Sequence, residues 1–213
     1  MTSNQPARQR RAGRLASGGA IRDAAAGLFL EKGYAGTSMD DIAAAAQVSK
    51  QTIYTHFPSK EALFADLVLG NAARVDEFLA GVAATLNDRG GIQVGLRKLA
   101  RQYLTFVARP EAVRLRRLMI GEASRFPDLA LRYYELVPGR VYSALADQFK
   151  DLDRRGVLRI DNPLIAAQQF AWLTLGMPLD RGMFHPVESA FRGLKLDETA
   201  DQAARVFLAA YHR

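Results

Sequence analysis

One short segment, KQTIYTH at residues 50–56, could place hydrogen-bonding groups on a single surface. A helix turns by ~100° per residue, so Ile53 and Phe57 would share its inward face. The opposite face and both flanks then carry only polar groups: Lys50, Gln51, Thr52, Tyr54, Thr55 and His56. Such donors and acceptors suit base edges in the major groove of DNA, while cations and hydroxyls suit phosphates. The pattern therefore predicts a DNA-recognition helix.

The flanking residues supply the signals that would position this helix. Ser49 can cap it, and Pro58 disfavours helical backbone at Phe57 and ends it. A preceding helix can begin at Ser38, with Asp41 three residues later completing a capping box. Helices this short are unstable alone, so neighbouring helices must hold them. Residues 37–60 thus favour a helix-turn-helix, and the alternative is an ordinary helical hairpin in an all-α domain.

A family resemblance covers about residues 17–67. The segments FLEKGYAGTSMDDIA and VSKQTIYTHFPSKEALF resemble the DNA-binding domain of the TetR family of bacterial transcriptional regulators. The chain departs from many members at Gln51, where they carry Gly or Pro, so the resemblance implies the contacts of Lys50, Tyr54 and Lys60 more directly. Pattern and resemblance together give the expected DNA contacts: Thr37, Ser38, Ser49, Lys50, Gln51, Thr52, Tyr54, Thr55, His56 and Lys60.

Composition limits the class of protein and its partner. The 213 residues are 49% hydrophobic and 24% charged, enough for a substantial core, and the net charge of +7 favours an anionic partner. Without cysteine, the chain has no disulfide or thiol nucleophile, which fits a reducing cytoplasm. Its longest apolar stretch, near residues 170–179, falls short of the ~20 residues of a membrane span. We therefore expect a cytoplasmic protein that binds double-stranded DNA and no membrane.

The hydrophobic pattern is helical throughout and predicts an all-α fold of nine or ten helices in two domains. We expect a disordered basic arm over residues 1–16, a helix-turn-helix domain over 17–62 and a larger C-terminal domain over 63–213. The arm carries Arg8, Arg10, Arg11 and Arg14, which either lie along DNA or form a solvated tail. Near the C-terminus we expect a helix from Pro163 to about Gly176, then a loop.

The C-terminal part, about residues 92–180, resembles the AefR-like branch of the TetR family. The matching residues are Glu122, Phe126-Pro127, Arg159-Ile160 and Gln169-Phe170. The resemblance implies a ligand-binding and dimerisation domain. Residues suited to a mainly apolar pocket for a small-molecule effector are Tyr103, Arg117, Met119, Tyr133, Trp172 and Met177. Each of these residues could instead belong to ordinary core.

The last two helices are expected to form a homodimer. Small residues let helices approach closely, and an apolar stripe follows on the last helix. Two recognition helices related by a two-fold axis would read half-sites about 34–36 Å apart. The expected interface residues are Ala166, Ala167, Phe170, Leu173, Ala203, Val206, Phe207 and Ala210.

The resulting prediction is a DNA-binding transcriptional regulator, a repressor released from a palindromic operator by a small molecule. No cofactor, metal site or catalytic site is expected, because His56, His185 and His212 are far apart and no catalytic motif is present. An architectural DNA-binding protein without an effector is one alternative. A helical enzyme built from scattered residues is the other.

Overall fold

The computed structural model describes residues 5–70, 72–87, 90–187 and 189–212, with side chains from residue 17 onward except that of Ala72. Regular structure in these ranges is helical, apart from one isolated bridge between Leu158 and His212. The α-helices are α1 Gln5–Lys32, α2 Met39–Ala45, α3 Lys50–His56, α4 Lys60–Gly70, α5 Ala72–Ala80, α6 Val82–Leu86, α7 Ile92–Val107, α8 Pro110–Glu122, α9 Pro127–Tyr134, α10 Arg140–Arg154, α11 Pro163–Phe184 and α12 Leu196–Tyr211. A π-helical turn, Glu135–Gly139, joins α9 to α10. The all-α prediction is confirmed.

Two helix boundaries differ from expectation. Helix α1 begins at Gln5, so the backbone of residues 5–16 is helical where we expected a disordered arm. This segment is rich in Ala, Arg and Gln, which favour helix. The arginine side chains of the arm, and its proposed DNA contacts, lie outside the described residues. Helix α11 passes through Pro178 to Phe184 instead of ending near Gly176.

The chain divides into two compact units. The first contains residues up to 70 together with 118–129. Its core holds the rings of Phe29, Tyr34, Phe64 and Phe126, with neighbouring centroids 4.8–5.7 Å apart. Because Phe64 is 1% exposed in this core, α4 belongs with the helix-turn-helix. The first unit therefore extends to residue 70 and not to the expected residue 62.

The second unit contains residues 72–117 and 130–212. Helices α10, α11 and α12 meet at Phe149, Phe170 and Phe207, whose ring centroids are 4.9–5.7 Å apart. All three rings are 0% exposed. Such aromatic packing contributes stability beyond the area it buries.

This core corrects part of the expected dimer interface. Phe170 and Phe207 lie inside the protomer, because each packs against Phe149. Three small residues of the expected interface are buried within the chain as well: Ala166, Ala167 and Ala203. Their size serves close packing of helices within one protomer. The remaining three residues of the set are exposed: Leu173, Val206 and Ala210.

Candidate nucleic-acid interface

Helix α2 is fixed at its N-terminus by the expected capping box. The Ser38 hydroxyl accepts a hydrogen bond from the Asp41 amide at 3.1 Å, and the Ser38 amide donates to the Asp41 carboxylate at 3.0 Å. These hydrogen bonds with Ser38 lower the pKa of Asp41. The negative charge of the carboxylate also interacts favourably with the positive end of the helix dipole. The start of α2 is therefore held firmly, and Ser38 is exposed beside it.

A tight turn carries the chain from α2 to α3. The Gln47 amide donates to Ala44 O at 3.2 Å, and the Val48 amide donates to Ala43 O at 3.0 Å. This pair of bonds is a Schellman motif, which requires a left-handed residue between helix and exit. Gln47 takes that conformation with φ of 55°, the one non-glycine residue of the described chain with positive φ. The turn thereby sets the angle between the two helices.

Helix α3 presents the expected inward and outward faces. Ser49 caps it by accepting from the Thr52 amide at 3.0 Å. Ile53 is 0% exposed beneath it, while Tyr54 on its outer side is 43% exposed. Gln51 and Thr55 are exposed as well, although the Thr55 hydroxyl donates to the Gln51 carbonyl at 2.8 Å. The outer face thus offers an amide, a phenol and a hydroxyl to a ligand.

Helix α1 holds α3 from behind. Arg22 of α1 donates to Asp66 of α4 at 2.6 Å and lies over the Phe57 ring, 5.4 Å from its centroid. Ser17 Oγ and His56 Nε2 share a hydrogen bond of 2.8 Å. In the chain without DNA, His56 therefore faces α1, and its expected contact with DNA stays a prediction. Its ring fixes the C-terminal end of the recognition helix.

Two more expected DNA contacts turn out to support the loop between α1 and α2. Thr37 is 2% exposed, and its hydroxyl donates to Gly33 O at 2.9 Å. Lys60 donates to Tyr34 O at 3.0 Å and to Thr37 O at 2.8 Å, with its ammonium 4.2 Å from the centre of the Tyr34 ring. The Thr37 side chain is thus not available to DNA. The Lys60 charge serves the loop that precedes α2.

Lys50 remains on the surface as the basic group of α3. Its ammonium lies 2.8 Å from Asp40 Oδ1 of α2, and both side chains are more than 60% exposed. The hydrogen bond and charge of Asp40 raise the pKa of Lys50. A surface pair of this kind is weak, so a phosphate can replace Asp40 as the partner of Lys50. Lys50, Tyr54 and Ser38 line one shallow groove with a volume of about 460 Å³.

The expected effector residues do not form a single site. Tyr103 is 3% exposed in the core of the second unit, and Tyr133 is partly buried. Trp172 and Met177, however, are 56% and 53% exposed on the outer surface of α11. The prediction that these two residues line a pocket is therefore wrong, since both lie on the surface. Met119 is buried, but it belongs to the first unit.

Arginines of α8 have separate roles. Arg117 donates to the Gly182 carbonyl at 2.7 Å and also to the His185 carbonyl, so it supports the end of α11. Arg116 was missing from the expected site; burial raises the pKa of Tyr103, Tyr133 and Tyr142, and the positive charge of Arg116 opposes that rise in each.

Exposed apolar side chains gather on α11 and α12. Leu173 is 41% exposed on α11, and Val206 is 51% exposed on α12. Both line a groove of about 380 Å³ between the two helices, together with Lys195 and Glu198. We name this surface the α11–α12 face, defined by Trp172, Leu173, Met177 and Val206. Exposed apolar patches are common at surfaces where proteins interact.

The described residues contain neither a membrane-spanning helix nor a cluster of metal-binding side chains. No helix among them is long and apolar enough to cross a membrane. Within the same part of the chain, no group of three or more His, Cys, Asp or Glu side chains could hold a metal ion.

Fold and surface together define a helix-turn-helix DNA-binding protein with a separate helical domain. Residues 21–67 match the family described as bacterial regulatory proteins, tetR family, and residues 94–213 match the AefR-like transcriptional repressor, C-terminal domain. The chain belongs to the TetR family of transcriptional regulators, which are not enzymes.

Individual relatives agree with this assignment. A TetR-family transcriptional regulator from Mesorhizobium loti MAFF303099 is 34% identical, with a TM-score of 0.84 over 94% of this chain and 98% of that one. The flavonoid-responsive regulator FrrA is 33% identical, with a TM-score of 0.70 over 92% and 97%. The HTH-type transcriptional repressor DhaR of Mycobacterium sp. (strain GP1) is 34% identical over 41% of this chain and 54% of its own. The chain thus spans about half the length of this curated relative.

Proposed function

We propose that the chain is a homodimeric repressor that binds a palindromic operator through α3 and leaves it when a small molecule binds the second unit. The observation that carries this proposal is the outer face of α3. Gln51, Tyr54 and Thr55 are exposed there, on a helix capped by Ser49 and anchored by Ile53. A rigid helix with exposed polar groups is what recognition in the major groove requires.

Contacts on this face divide into two kinds. Gln51 and Thr55 lie opposite the buried Ile53 and enter deepest into the groove, where Gln can bond adenine N6 and N7. Lys50 and Tyr54 lie on the flank and contact phosphates, with the capping hydroxyls of Ser38 and Ser49 and the hydroxyl of Thr52 beside them. The first kind sets sequence preference. The second supplies affinity that depends on salt concentration.

One two-turn helix contacts too few base pairs for specific recognition. A dimer places two copies of α3 on the DNA. The α11–α12 face presents Trp172, Leu173, Met177 and Val206, each more than 40% exposed in the isolated chain. Covering these side chains in a two-fold contact removes apolar area from water. The same contact fixes the distance between two α3 helices, which sets the half-site spacing on DNA.

Release of the DNA follows if the dimer has two conformations that differ in the distance between its two α3 helices. An effector that binds one spacing better, while DNA binds the other, shifts the population between them. Nearly complete release requires a preference of roughly 10⁴-fold, about 5.5 kcal/mol. Support for an effector comes from the similarity of this chain to FrrA, a flavonoid-responsive regulator, and from the AefR-like repressor match over residues 94–213.

Selection of bound DNA from a random pool with the full chain tests the proposal. We expect a palindromic motif whose half-sites lie about one helical turn apart. We also expect that small-molecule extracts, when added, release the selected DNA. Enrichment without any motif would contradict operator recognition and support an architectural DNA-binding protein. A motif that no compound releases would contradict the effector step alone.

A further inference from the structure

We propose that Asp40 limits the affinity of the chain for DNA, because its carboxylate occupies the ammonium of Lys50 until a phosphate displaces it. This inference rests on the proposed binding of DNA through α3 and names a contact that regulates it. Asp40 was not among the expected DNA contacts, although it lies on α2 beside Lys50. The geometry of the pair, its exposure and the charge of the surrounding groove support this role.

The first observation is the geometry of the ion pair between α2 and α3. The Lys50 ammonium lies 2.8 Å from Asp40 Oδ1 and 2.9 Å from Asp40 Oδ2, so it contacts both oxygens of the carboxylate. Asp40 belongs to the first turn of α2, whereas Lys50 is the first residue of α3. The carboxylate offers Lys50 the same kind of charged acceptor that a DNA phosphate offers. Asp40 and a phosphate therefore compete for one ammonium.

The second observation is the exposure of both partners. The side chains of Lys50 and Asp40 are 63% and 64% exposed. Ion pairs on the surface are weak, because solvent and salt screen them and two side chains must be ordered. A phosphate can therefore reach Lys50 and replace Asp40 without any rearrangement of the helices. The pair thus reduces the affinity for DNA without preventing binding.

The third observation is the charge of the groove that contains the pair. Four of its lining residues are charged: Asp40, Asp41, Lys50 and Lys60. The two aspartates cancel the two lysines, although the whole chain carries a net charge of +7. Lys60 donates to carbonyls of the preceding loop, and Asp41 accepts from Ser38. Asp40 is therefore the acid whose removal frees a cation at this surface.

The competition acts on every DNA sequence alike. Lys50 contacts phosphates, which carry no sequence information, whereas Gln51 and Thr55 lie where base edges are read. Displacing Asp40 therefore lowers the affinity for an operator and for random DNA by the same factor. Because a genome offers very many competing sites, this lower affinity leaves more of a basic chain free of non-operator DNA.

DNA titrations in a double-mutant cycle test this role. The probes are a fluorescent duplex of random sequence and one that carries the selected motif, each followed by anisotropy at low salt. Asp40→Asn should tighten binding of the full chain to both duplexes by the same factor, roughly twofold to fivefold, as expected for an exposed ion pair. In a Lys50→Gln background the same substitution should leave the affinity unchanged, because no ammonium remains to be freed.

The matched control is Asp23→Asn, which removes the charge of an exposed acid on α1. It should change the affinity less than Asp40→Asn does. The gain from Asp40→Asn should also shrink as salt is raised, since salt screens the pair that the substitution removes.

Three results overturn the proposal. Unchanged or weaker binding by folded Asp40→Asn would show that Asp40 does not compete with DNA. An equal gain in the Lys50→Gln background would show that Asp40 repels phosphates directly. An equal gain from Asp23→Asn would reduce the effect to net charge. Circular dichroism confirms that each variant is folded.

The random duplex separates these failures from failure of the proposed function. Any of the three results leaves operator binding by wild type standing. A wild-type chain that binds random DNA but selects no motif would contradict the proposed operator recognition alone, because the role of Asp40 is measured on the random duplex as well.

Discussion

Lys60 shows how a basic residue beside a recognition helix can serve the protein itself. Its ammonium donates to the carbonyls of Tyr34 and Thr37 and lies over the Tyr34 ring. Lys60→Met should therefore lower the free energy of unfolding by about 1–3 kcal/mol, because two carbonyls lose a charged donor. Urea denaturation measures the change, with Lys150→Met on the exposed surface of α10 as the control.

DNA titrations at several salt concentrations separate this role from the expected phosphate contact. If Lys60 serves the loop, folded Lys60→Met keeps the salt dependence of wild type. A slope reduced by about one, with unchanged stability, would restore Lys60 as a phosphate contact.

Glu61 gives the same loop a dependence on pH. The Tyr34 hydroxyl donates to Glu61 at 2.7 Å, and this bond holds the pKa of the carboxyl below its ordinary value of 4.5. A lowered carboxyl pKa stabilises the folded state above the ordinary pKa, and this contribution is lost as the pH falls through the folded value. Glu61→Gln should therefore be less stable than wild type near neutral pH and equal to it in acid. Thermal unfolding across that range measures the difference, and a gap that persists in acid would exclude this carboxylate as its source.

At the scale of elements, the turn between α2 and α3 contains a strained residue. Gln47 has φ of 55°, which costs a non-glycine residue roughly 1–2 kcal/mol. Gln47→Gly removes that cost. Glycine also increases the conformational entropy of the unfolded chain, which lowers the free energy of unfolding by about 0.4–1 kcal/mol. We expect a slightly raised melting temperature for Gln47→Gly and a lowered one for Gln47→Val, whose branched side chain suits this conformation least. Equal destabilisation by both would show that the side chain of Gln47 matters more than its backbone.

Local signals in the sequence predicted the starts of several helices well. Ser38, Ser49 and Asn162 cap α2, α3 and α11 as expected, because a capping bond depends on only a few neighbouring residues. The end of α11 was missed because Pro178, usually a helix breaker, is tolerated inside it. Tertiary packing decides such a case.

The burial and the bonding partners of side chains were less predictable than the positions of the helices. Phe170 and Trp172 look alike in sequence, yet Phe170 is fully buried in the protomer and Trp172 is 56% exposed. Lys60 and His56 resemble DNA contacts, but their partners lie 23 to 39 residues away in sequence. Only the packing of distant segments determines which apolar residues form the core and which polar residues are already bonded.

For the whole molecule, the proposed function requires that the chain be a dimer in the absence of DNA. Trp172→Arg places a charge in the centre of the α11–α12 face, where burial without a partner is costly. Sedimentation velocity at micromolar concentration should show a dimer for wild type and a monomer for this variant. Leu131→Arg on α9 changes an equally exposed apolar residue, at 58%, and should stay dimeric. A monomeric wild-type chain would contradict the proposed dimer.

The central claim is that the outer face of α3 reads the sequence of DNA. Binding-site selection with wild type and Gln51→Ala tests it most directly, because Gln51 is exposed opposite the buried Ile53. A bidentate contact from Gln to adenine is worth about 1–3 kcal/mol of discrimination, so the variant should lose preference at one base pair in each half-site. Its salt dependence should stay that of wild type. If Gln51→Ala returns the wild-type motif unchanged and binds every sequence more weakly by the same factor, Gln51 touches only the backbone of DNA and the claim fails for this residue.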